Sequence, residues 1–212
     1  MVKKILIGTT NPAKKQRFME ILNNYNCEIV TLDDLNITDE PEELGNTPIE
    51  NAKIKAEFYS KYCDNVICQD SGLYFADMDE DDPRQPGLYI KRVGNEVLSY
   101  EGMITYYSNM AKNFGGKALV YYKNGTAVFS DNCFKEFMAD DKTNKARGFY
   151  LLDHQICEPI PGWPLDSISQ DIENHDKETE NLLREYDVKF RKFIIDSFKL
   201  KKLKNNYRRC LV

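Results

Sequence analysis

Short stretches in the first half of the chain carry residue types that could handle phosphate and a metal ion. The stretch Asp70-Ser71-Gly72 places a carboxylate, a hydroxyl and a glycine after the apolar run that begins at Val66. Glu43 is a second carboxylate, in an acidic loop, and Lys91-Arg92 supplies positive charge. Carboxylates and phosphate oxygens are a usual ligand set for Mg²⁺. A nearby carboxylate can also take a proton from an attacking water.

The segment from Thr9 to Lys14 joins a predicted strand to a predicted helix. Ile5-Leu6-Ile7 is apolar, and Asn11-Pro12 favours a helix start, because asparagine caps helices and proline suits the first helical position. Free N–H groups and the dipole at such a start favour an anion, and Lys14 lies in the first turn. The spacing is not that of a P-loop, and an ordinary strand-to-helix connection looks similar.

Two further elements must position the carboxylates. Thr47-Pro48-Ile49-Glu50 reads as a capping box, so Glu43 lies just before a helix. The run from Val66 predicts a buried strand that presents Asp70 at its end, with a turn at Gly72. The pattern also allows Leu73 to Phe75 to continue the strand beyond that turn. By themselves, these features fit a plain turn and a solvated acid equally well.

The second half gives one strong local signal. Two β-rich runs between Lys117 and Ser130 flank Asn124-Gly125, the preferred pair for a type I′ turn, so a hairpin is predicted there. The remaining predictions are a strand over 132–138, helices over 95–114 and 178–203, a polar loop over 140–147, and an ordered loop around Trp163. We expect a single domain over 1–212, with one lobe from 1–115 and 165–212 and a hairpin-containing lobe from 116–164.

Composition bounds the function. The chain has 212 residues, of which 42% are hydrophobic and 30% charged, and no apolar run reaches the ~20 residues of a membrane span. The first apolar run is too short for a signal peptide, which favours the cytoplasm. Six cysteines without C-x-x-C spacing indicate free thiols. A net charge of −5 argues against nucleic acid, and the basic end from Lys199 to Arg209 reads as a solvated helix terminus.

Taken together, these residues resemble the Ham1-like inosine triphosphate pyrophosphatase family. Its T-G-N-x-x-K loop is similar to Thr9 through Lys14, and its E-x-G-x-T-x-x-E-N-A segment to Glu43 through Ala52. Its D-D-S-G-L is similar to Gln69 through Leu73, and its P-G-x-Y-I-K to Pro86 through Lys91. Each motif is modest by itself, but four in the right order over about the first hundred residues are jointly specific.

The resemblance implies an elongated α/β fold of the Ham1/Maf type, with a central mixed sheet, helices, and two lobes around a nucleotide cleft. It implies Mg²⁺-dependent cleavage of non-standard purine nucleoside triphosphates to a monophosphate and pyrophosphate, usually by a homodimer. By position, Asp70 would be the general base and a metal ligand, and Glu43 a metal ligand. The substrate would contact Thr9, Thr10, Asn11, Lys14, Ser71 and Lys91.

The sequence departs from the family pattern in several places. Gln69 replaces an acid, and Thr10 replaces the glycine of the loop. The base-binding motif F-G-Y/W-D-P survives at most as far as Asp153, and the base-binding S-H-R only as a positive charge at Lys189. Carried over, Asp153 and Lys189 would contact the substrate's base, and the rewritten second half predicts an altered or relaxed base preference.

Three alternatives remain open from the sequence. Gln69 and the missing S-H-R also fit a catalytically weak relative that only binds nucleotides. The Maf-like septum-inhibitor group shares the architecture, but its serine loop followed by Pro-Arg matches Thr10 through Ala13 poorly. A nucleic-acid binder would have to use the basic end, and its binding would depend steeply on salt.

Overall fold

The computed structural model describes residues 2–203 and shows a mixed α/β fold. Within these residues, seven strands form one sheet in the order β2-β1-β3-β6-β8-β9, with β7 paired to β6. The sheet strands are β1 (Lys3–Ile7), β2 (Cys27–Thr31), β3 (Val66–Phe75), β6 (Lys117–Ser130), β7 (Cys133–Met138), β8 (Phe149–Leu152) and β9 (Ser169–Gln170), and a separate small hairpin consists of β4 (Arg92–Val93) and β5 (Glu96–Val97). The helices are α1 (Pro12–Leu22), α2 (Pro48–Ser60), α3 (Tyr100–Lys112), α4 (Asp141–Ala146) and α5 (Lys177–Phe198), with a short 3₁₀ helix over Pro164–Ile168. The predicted α/β class with a central mixed sheet is confirmed.

The two predicted helix starts in the first half are present. The Asn11 side chain accepts hydrogen bonds from the N–H groups of Ala13 and Lys14, and Thr47 accepts from Glu50. In both helices proline takes the first position, where a missing N–H costs nothing. The sequence therefore located these helices because each start is determined by its own local hydrogen bonds.

The predicted hairpin at Asn124-Gly125 is wrong. β6 runs unbroken from Lys117 to Ser130 and pairs with β3 through both residues. A two-residue turn does occur after β6, at Asp131-Asn132, where φ is 54° and 57°, as a type I′ turn requires. At Gly125 a Cβ would lie 2.3 Å from the Ile49 nitrogen, so this glycine permits close packing of α2.

The predicted turn at Gly72 is also wrong, because β3 continues to Phe75 and Asp70 lies in its middle. Gly72 pairs with Lys123 in the sheet. A Cβ there would approach the carbonyl oxygen of Gly87 to 3.1 Å. The glycine thus accommodates a neighbouring loop, while the sheet keeps the backbone extended.

Three element boundaries differ from the predictions. The helix expected from Asn95 begins only at Tyr100, because β5 takes the preceding residues. The expected polar loop over 140–147 contains α4, capped by the Asp140 side chain. The last helix ends at Phe198, because Lys199 is left-handed, with φ of 53°, and its N–H returns to Asp196.

The core lies on both faces of the sheet. One cluster joins β1 and β3 to α1 and α5, a second joins β3, β6 and β8 to α3, and a third lies under α2. The described cysteines are free thiols, as predicted, and Cys210 lies outside the described residues together with most of the basic end. No helix over 2–203 is long and apolar enough to cross a membrane. The division into lobes at 115 and 165 stays a prediction.

Candidate active site

A cleft of about 600 Å³ runs along an open edge of β3. β1 pairs with β3 only at Val66 and Ile67, and then the chain leaves the sheet at Gly8. The next contact on that side is the bridge between Leu73 and Gly87. The β3 backbone between these points therefore borders the cleft, and residues on either face of the strand can reach it.

The cleft brings together most of the predicted site residues. Its lining includes Thr9, Thr10, Asn11, Lys14, Glu43, Asp70, Ser71 and Lys91. The roles assigned to them stay predictions, but their grouping around one cavity is a property of the fold. Residues 50 or more positions apart in sequence meet here because the end of β1, the middle of β3 and the first turns of α2 lie side by side.

The loop before α1 has the features of an anion site. Asn11 caps the helix with its Oδ1, and its own N–H donates to Thr9 Oγ1 at 3.2 Å. Thr10 is exposed and outside the left-handed region, so its side chain does not strain the loop in place of the family's glycine. Lys14 Nζ donates to the carbonyl oxygen of Gln69 at 3.4 Å, on the unpaired edge of β3.

The two predicted metal ligands converge on one point. Lys55 Nζ lies 2.8 Å from Glu43 Oε1 and 3.2 Å from Asp70 Oδ1. The other Asp70 oxygen accepts a hydrogen bond from Asn51 Nδ2 at 3.2 Å. Because Asn51 and Lys55 are one turn apart on α2, the helix fixes the orientation of the buried Asp70 carboxylate.

The two lysines of the site respond differently to the same carboxylates. Burial lowers the pKa of Lys14 to about 8, although Asp70 opposes the shift. Burial also acts to lower the pKa of Lys55, but Asp70 and Glu43 more than offset it, and that pKa is raised. Lys55 therefore stays charged at neutral pH, while Lys14 is poised closer to its titration range.

The residues present supply part of a ligand set for a magnesium ion. Phosphate oxygens of a bound substrate, together with waters, would complete it. Glu43 and Asp70 already hold one cationic group between them, the Lys55 ammonium, with hard oxygen atoms. Over residues 2–203, no group of three or more histidine, cysteine or acidic side chains could hold a metal. Two carboxylates with waters and substrate phosphates are how Mg²⁺ is commonly bound, whereas an all-protein cage is not needed.

Gln69, which replaces an acid of the family pattern, is not part of the cleft lining. It is 2% exposed, and its Nε2 donates to Thr126 Oγ1 at 3.0 Å. On the same face of the sheet, Ser71 Oγ donates to Asn124 Oδ1 at 2.7 Å. The substitution at position 69 therefore alters a buried pair between β3 and β6 and removes no side chain from the cleft.

Asp153 and Lys189 are not brought to the cleft. Asp153 follows β8 and accepts a hydrogen bond at 2.8 Å from its exposed neighbour His154. Lys189 lies on α5 and pairs with Glu185 at 2.9 Å, one turn away. The match to the family pattern is weak around both residues, and no local sequence feature indicates where either side chain lies in the fold.

Sequence reasoning missed Asn51, Lys55, Asn124 and Trp163, which all belong to the site or its surroundings. The four-residue spacing of Asn51 and Lys55 after a capped helix start could have indicated a polar face directed at Asp70. Asn124 was assigned to a turn. Trp163 was assigned to an ordered loop, but nothing in the sequence placed that loop beside the first helix.

A sequence model of the Ham1 family matches residues 5–139, well over half of the chain. The chain belongs to the Ham1 family. The match covers the loop from Thr9 to Lys14, both carboxylates and the whole of β6, so the Ham1 assignment rests on the part of the chain that forms most of the cleft.

Curated relatives are similar to a little under half of the chain. A dITP/XTP pyrophosphatase of Thermoanaerobacter pseudethanolicus is 39% identical over 99 residues, which is 46% of this chain and 48% of the relative. A dITP/XTP pyrophosphatase of Bacillus subtilis is 36% identical over 97 residues, 45% of this chain and 47% of the relative. The chain thus spans about half the length of the curated relatives it matches.

Solved structures extend the likeness to almost the whole fold. The Staphylococcus aureus Ham1 protein aligns with a TM-score of 0.62 at 22% identity, covering 92% of this chain and 99% of that one. A Ham1 protein from Coxiella burnetii aligns with a TM-score of 0.59 at 16% identity, covering 90% and 98%. The second half therefore keeps the Ham1 fold although its sequence has diverged.

Proposed function

We propose that this protein is a Mg²⁺-dependent nucleoside triphosphate pyrophosphatase that acts on non-standard purine nucleotides. The observation that supports this most directly is the convergence of Glu43 and Asp70 on one cationic group beside the Asn11 helix start. This places a carboxylate pair, a buried lysine and the positive end of a helix dipole around one cleft. The relatives, which this chain matches over about half of their length, are named for the same chemistry.

In this proposal the triphosphate lies along the open edge of β3. Thr9, Thr10 and Lys14 hold the terminal phosphates, with support from the positive end of the α1 dipole. Lys91 neutralises charge from the opposite wall. The reacting α-phosphorus is then directed towards Asp70, and Ser71 contacts the same region from the other face of the strand.

Asp70 is proposed as the general base. It takes a proton from a water whose oxygen attacks the α-phosphorus, the bond to the bridging oxygen breaks, and pyrophosphate leaves with the electron pair. Asn51 and Lys55 hold the carboxylate in place for this role. After the reaction, Lys14 and the helix start hold the leaving pyrophosphate.

Glu43 and Asp70 would hold the magnesium ion together with phosphate oxygens. When bound, the ion supplies positive charge to the phosphates and makes pyrophosphate a better leaving group. Glu43 contacts Lys55 through one oxygen in the described contacts, so its second oxygen stays available to the ion, whereas the two Asp70 oxygens also accept hydrogen bonds from Lys55 and Asn51.

The base preference, the assembly and the location are further parts of the proposal. The family's two base-binding motifs are rewritten, which supports an altered or relaxed base preference. We also propose a cytoplasmic homodimer, which light scattering would report as twice the chain mass of 24.7 kDa. A scattering mass equal to one chain would contradict the homodimer without affecting the proposed chemistry.

Pyrophosphate release measured with Mg²⁺ over a panel of nucleotides tests the proposal. The panel contains ITP, XTP, dITP and the four standard ribonucleoside triphosphates. We expect release from at least the oxopurine members and equimolar monophosphate as the second product. If calorimetry detects nucleotide binding but no panel member releases pyrophosphate, the chain is a binding relative and the proposed activity is wrong.

A further inference from the structure

The cleft has an aromatic end that no predicted site residue occupies. Its lining there includes Leu88, Met103, Tyr122, Trp163 and Leu165. Since Asp153 and Lys189 lie elsewhere, the residues expected to contact the base are absent from this end. An apolar, aromatic wall next to a phosphate site suits a planar heterocycle, because every base has a π-face that can stack.

Trp163 is held beside the phosphate loop by the residue before it. The Gly162 carbonyl accepts a hydrogen bond from Asn11 Nδ2 at 3.0 Å, and the Gly162 N–H donates to the Tyr100 hydroxyl at 2.9 Å. Gly162 has φ of +87°, and a Cβ there would lie 2.7 Å from Asn11 Oδ1. The glycine therefore lets the loop contact both α1 and α3. These contacts fix the position of the Trp163 backbone beside the cleft.

Tyr122 supports the indole from β6. Its ring meets that of Trp163 edge to face, with centroids 6.0 Å apart and planes at 68°. Tyr122 is two residues from Asn124, so it lies on the sheet face that carries the Ser71–Asn124 pair, about 7 Å along the strand. Burial, with a contribution from Asp166, raises the pKa of Tyr122, so the ring stays neutral at physiological pH.

We infer that Trp163, held edge to face by Tyr122, is the surface on which the base of the nucleotide stacks in this protein. The inference rests on the proposed function and names the base subsite of that same cleft. The Trp163 loop lies beyond residues 5–139, so the family match does not supply it. Stacking distinguishes one base from another only weakly. A protein that binds the base by stacking, and lacks the family's base-binding motifs, is therefore expected to have a relaxed base preference.

The inference can be tested directly, because Trp163 is the only tryptophan in the chain. The wild-type protein is titrated with ITP in excess EDTA, so that binding occurs without turnover, and indole emission is followed beside calorimetry. Inorganic triphosphate serves as the matched ligand that keeps the phosphates and lacks the base. We expect ITP to quench the emission as it binds, and inorganic triphosphate to bind without that quenching.

Variants measured by calorimetry provide a second readout. Trp163→Ala should weaken ITP binding by roughly ten- to hundredfold while leaving inorganic triphosphate unaffected, and Trp163→Phe should lose much less. Tyr62→Ala removes an aromatic ring outside the cleft and should leave both affinities unchanged. Unchanged binding of inorganic triphosphate also shows that each variant is folded at the phosphate site.

The outcomes separate the inference from the proposed function. If ITP binds without quenching, or if inorganic triphosphate quenches equally, the stacking surface is wrong and the pyrophosphatase proposal stands. If Trp163→Ala binds ITP as tightly as the wild type, the inference is likewise overturned. If neither ligand binds the wild-type protein in EDTA, the stacking surface is overturned, and pyrophosphate release with Mg²⁺ decides the proposed function separately.

Discussion

At the scale of single residues, the proposed role of Asp70 as a base depends on its surroundings. Asn51 and Lys55 each take one of its oxygens, at 3.2 Å, and both come from α2. A carboxylate in the same strand without these partners could rotate. The orientation of this carboxylate therefore depends on α2 as much as on β3.

We predict that Asp70→Asn lowers the pyrophosphate release rate by at least about a hundredfold, because the amide cannot accept the proton of water. The amide oxygen can still accept from Asn51, so the fold should persist. Circular dichroism and the rate with ITP check both statements. Asp77→Asn, at an exposed site outside the cleft, is the matched control and should retain full activity. A wild-type rate in Asp70→Asn would remove Asp70 from the role of base.

Glu43 is predicted to bind the magnesium ion, so its removal should raise the Mg²⁺ concentration that the reaction needs. Glu43→Gln should raise the Mg²⁺ concentration for half-maximal rate by roughly tenfold or more, because one of two anionic ligands is lost. A magnesium titration at saturating ITP measures this shift. Glu57→Gln changes an exposed acid on α2 and should leave the titration unchanged. A metal requirement that is the same in Glu43→Gln and wild type would contradict the ligand assignment.

We predict that Lys14 makes triphosphate binding dependent on pH. Its pKa is lowered by burial to about 8, so the ammonium that attracts phosphate is lost as pH rises above that value. Binding an anion requires the charged form, so affinity for inorganic triphosphate should fall above pH 8, by at most about tenfold per pH unit. Calorimetry between pH 7 and 9.5 measures the fall.

Two variants assign that pH dependence to one lysine. Lys14→Gln should bind triphosphate weakly at pH 7 and lose most of the decline above pH 8. Lys15→Gln removes the neighbouring lysine, which pairs with Asp33 at 2.5 Å, and should keep the decline. If Lys14→Gln shows the same decline as the wild type, another group titrates and the assignment is wrong.

At the scale of elements, the accuracy of sequence prediction depended on how local the determining interactions are. Both helix starts with proline were located, since their caps are formed by residues two or three positions away. Asn124-Gly125 misled the prediction, because the pair carries the sequence of a turn but is used for tertiary contacts: Asn124 bonds Ser71, and Gly125 packs under Ile49. Contacts between residues more than 50 positions apart in the sequence cannot be predicted from the few residues around a turn motif.

The close packing of Gly125 against α2 leads to a prediction about stability. In Gly125→Ala the new methyl would lie within 2.5 Å of the Ile49 nitrogen and Cα, which are backbone atoms that cannot rotate away. Overpacking of this kind costs about 1–3 kcal/mol, so Tm should fall by roughly 3–10 °C. Activity should fall as well, because α2 carries Asn51 and Lys55.

Gly102→Ala is the matched control for that change. Gly102 lies in α3, where a new Cβ would have no neighbour closer than 3.5 Å. Alanine favours a helix over glycine by about 1 kcal/mol, so this variant should keep or raise Tm. Equal thermal stability of the two alanine variants in calorimetry would show that the packing at Gly125 is not restrictive.

At the scale of the whole molecule, the cleft is built by segments from both halves of the chain. Its phosphate side comes from β1, α1, α2 and β3, and its aromatic side from β6, α3 and the Trp163 loop. The first half was recognisable from the sequence because its motifs are compact, and the family match ends at residue 139. The second half keeps the fold with few matching residues, so only the structure located Trp163 beside Asn11.

A nucleotide that contacts both sides should therefore stabilise the protein as a whole. A ligand at a hundred times its Kd adds about 2.7 kcal/mol, which for a chain of this size corresponds to a rise in Tm of roughly 5–11 °C. ITP in EDTA should produce this rise in a single cooperative transition by differential scanning calorimetry. Inosine, which lacks the phosphates, is the matched ligand and should produce almost none at the same concentration. Two separate transitions, of which ITP shifts one alone, would show that its contacts are confined to one side of the cleft.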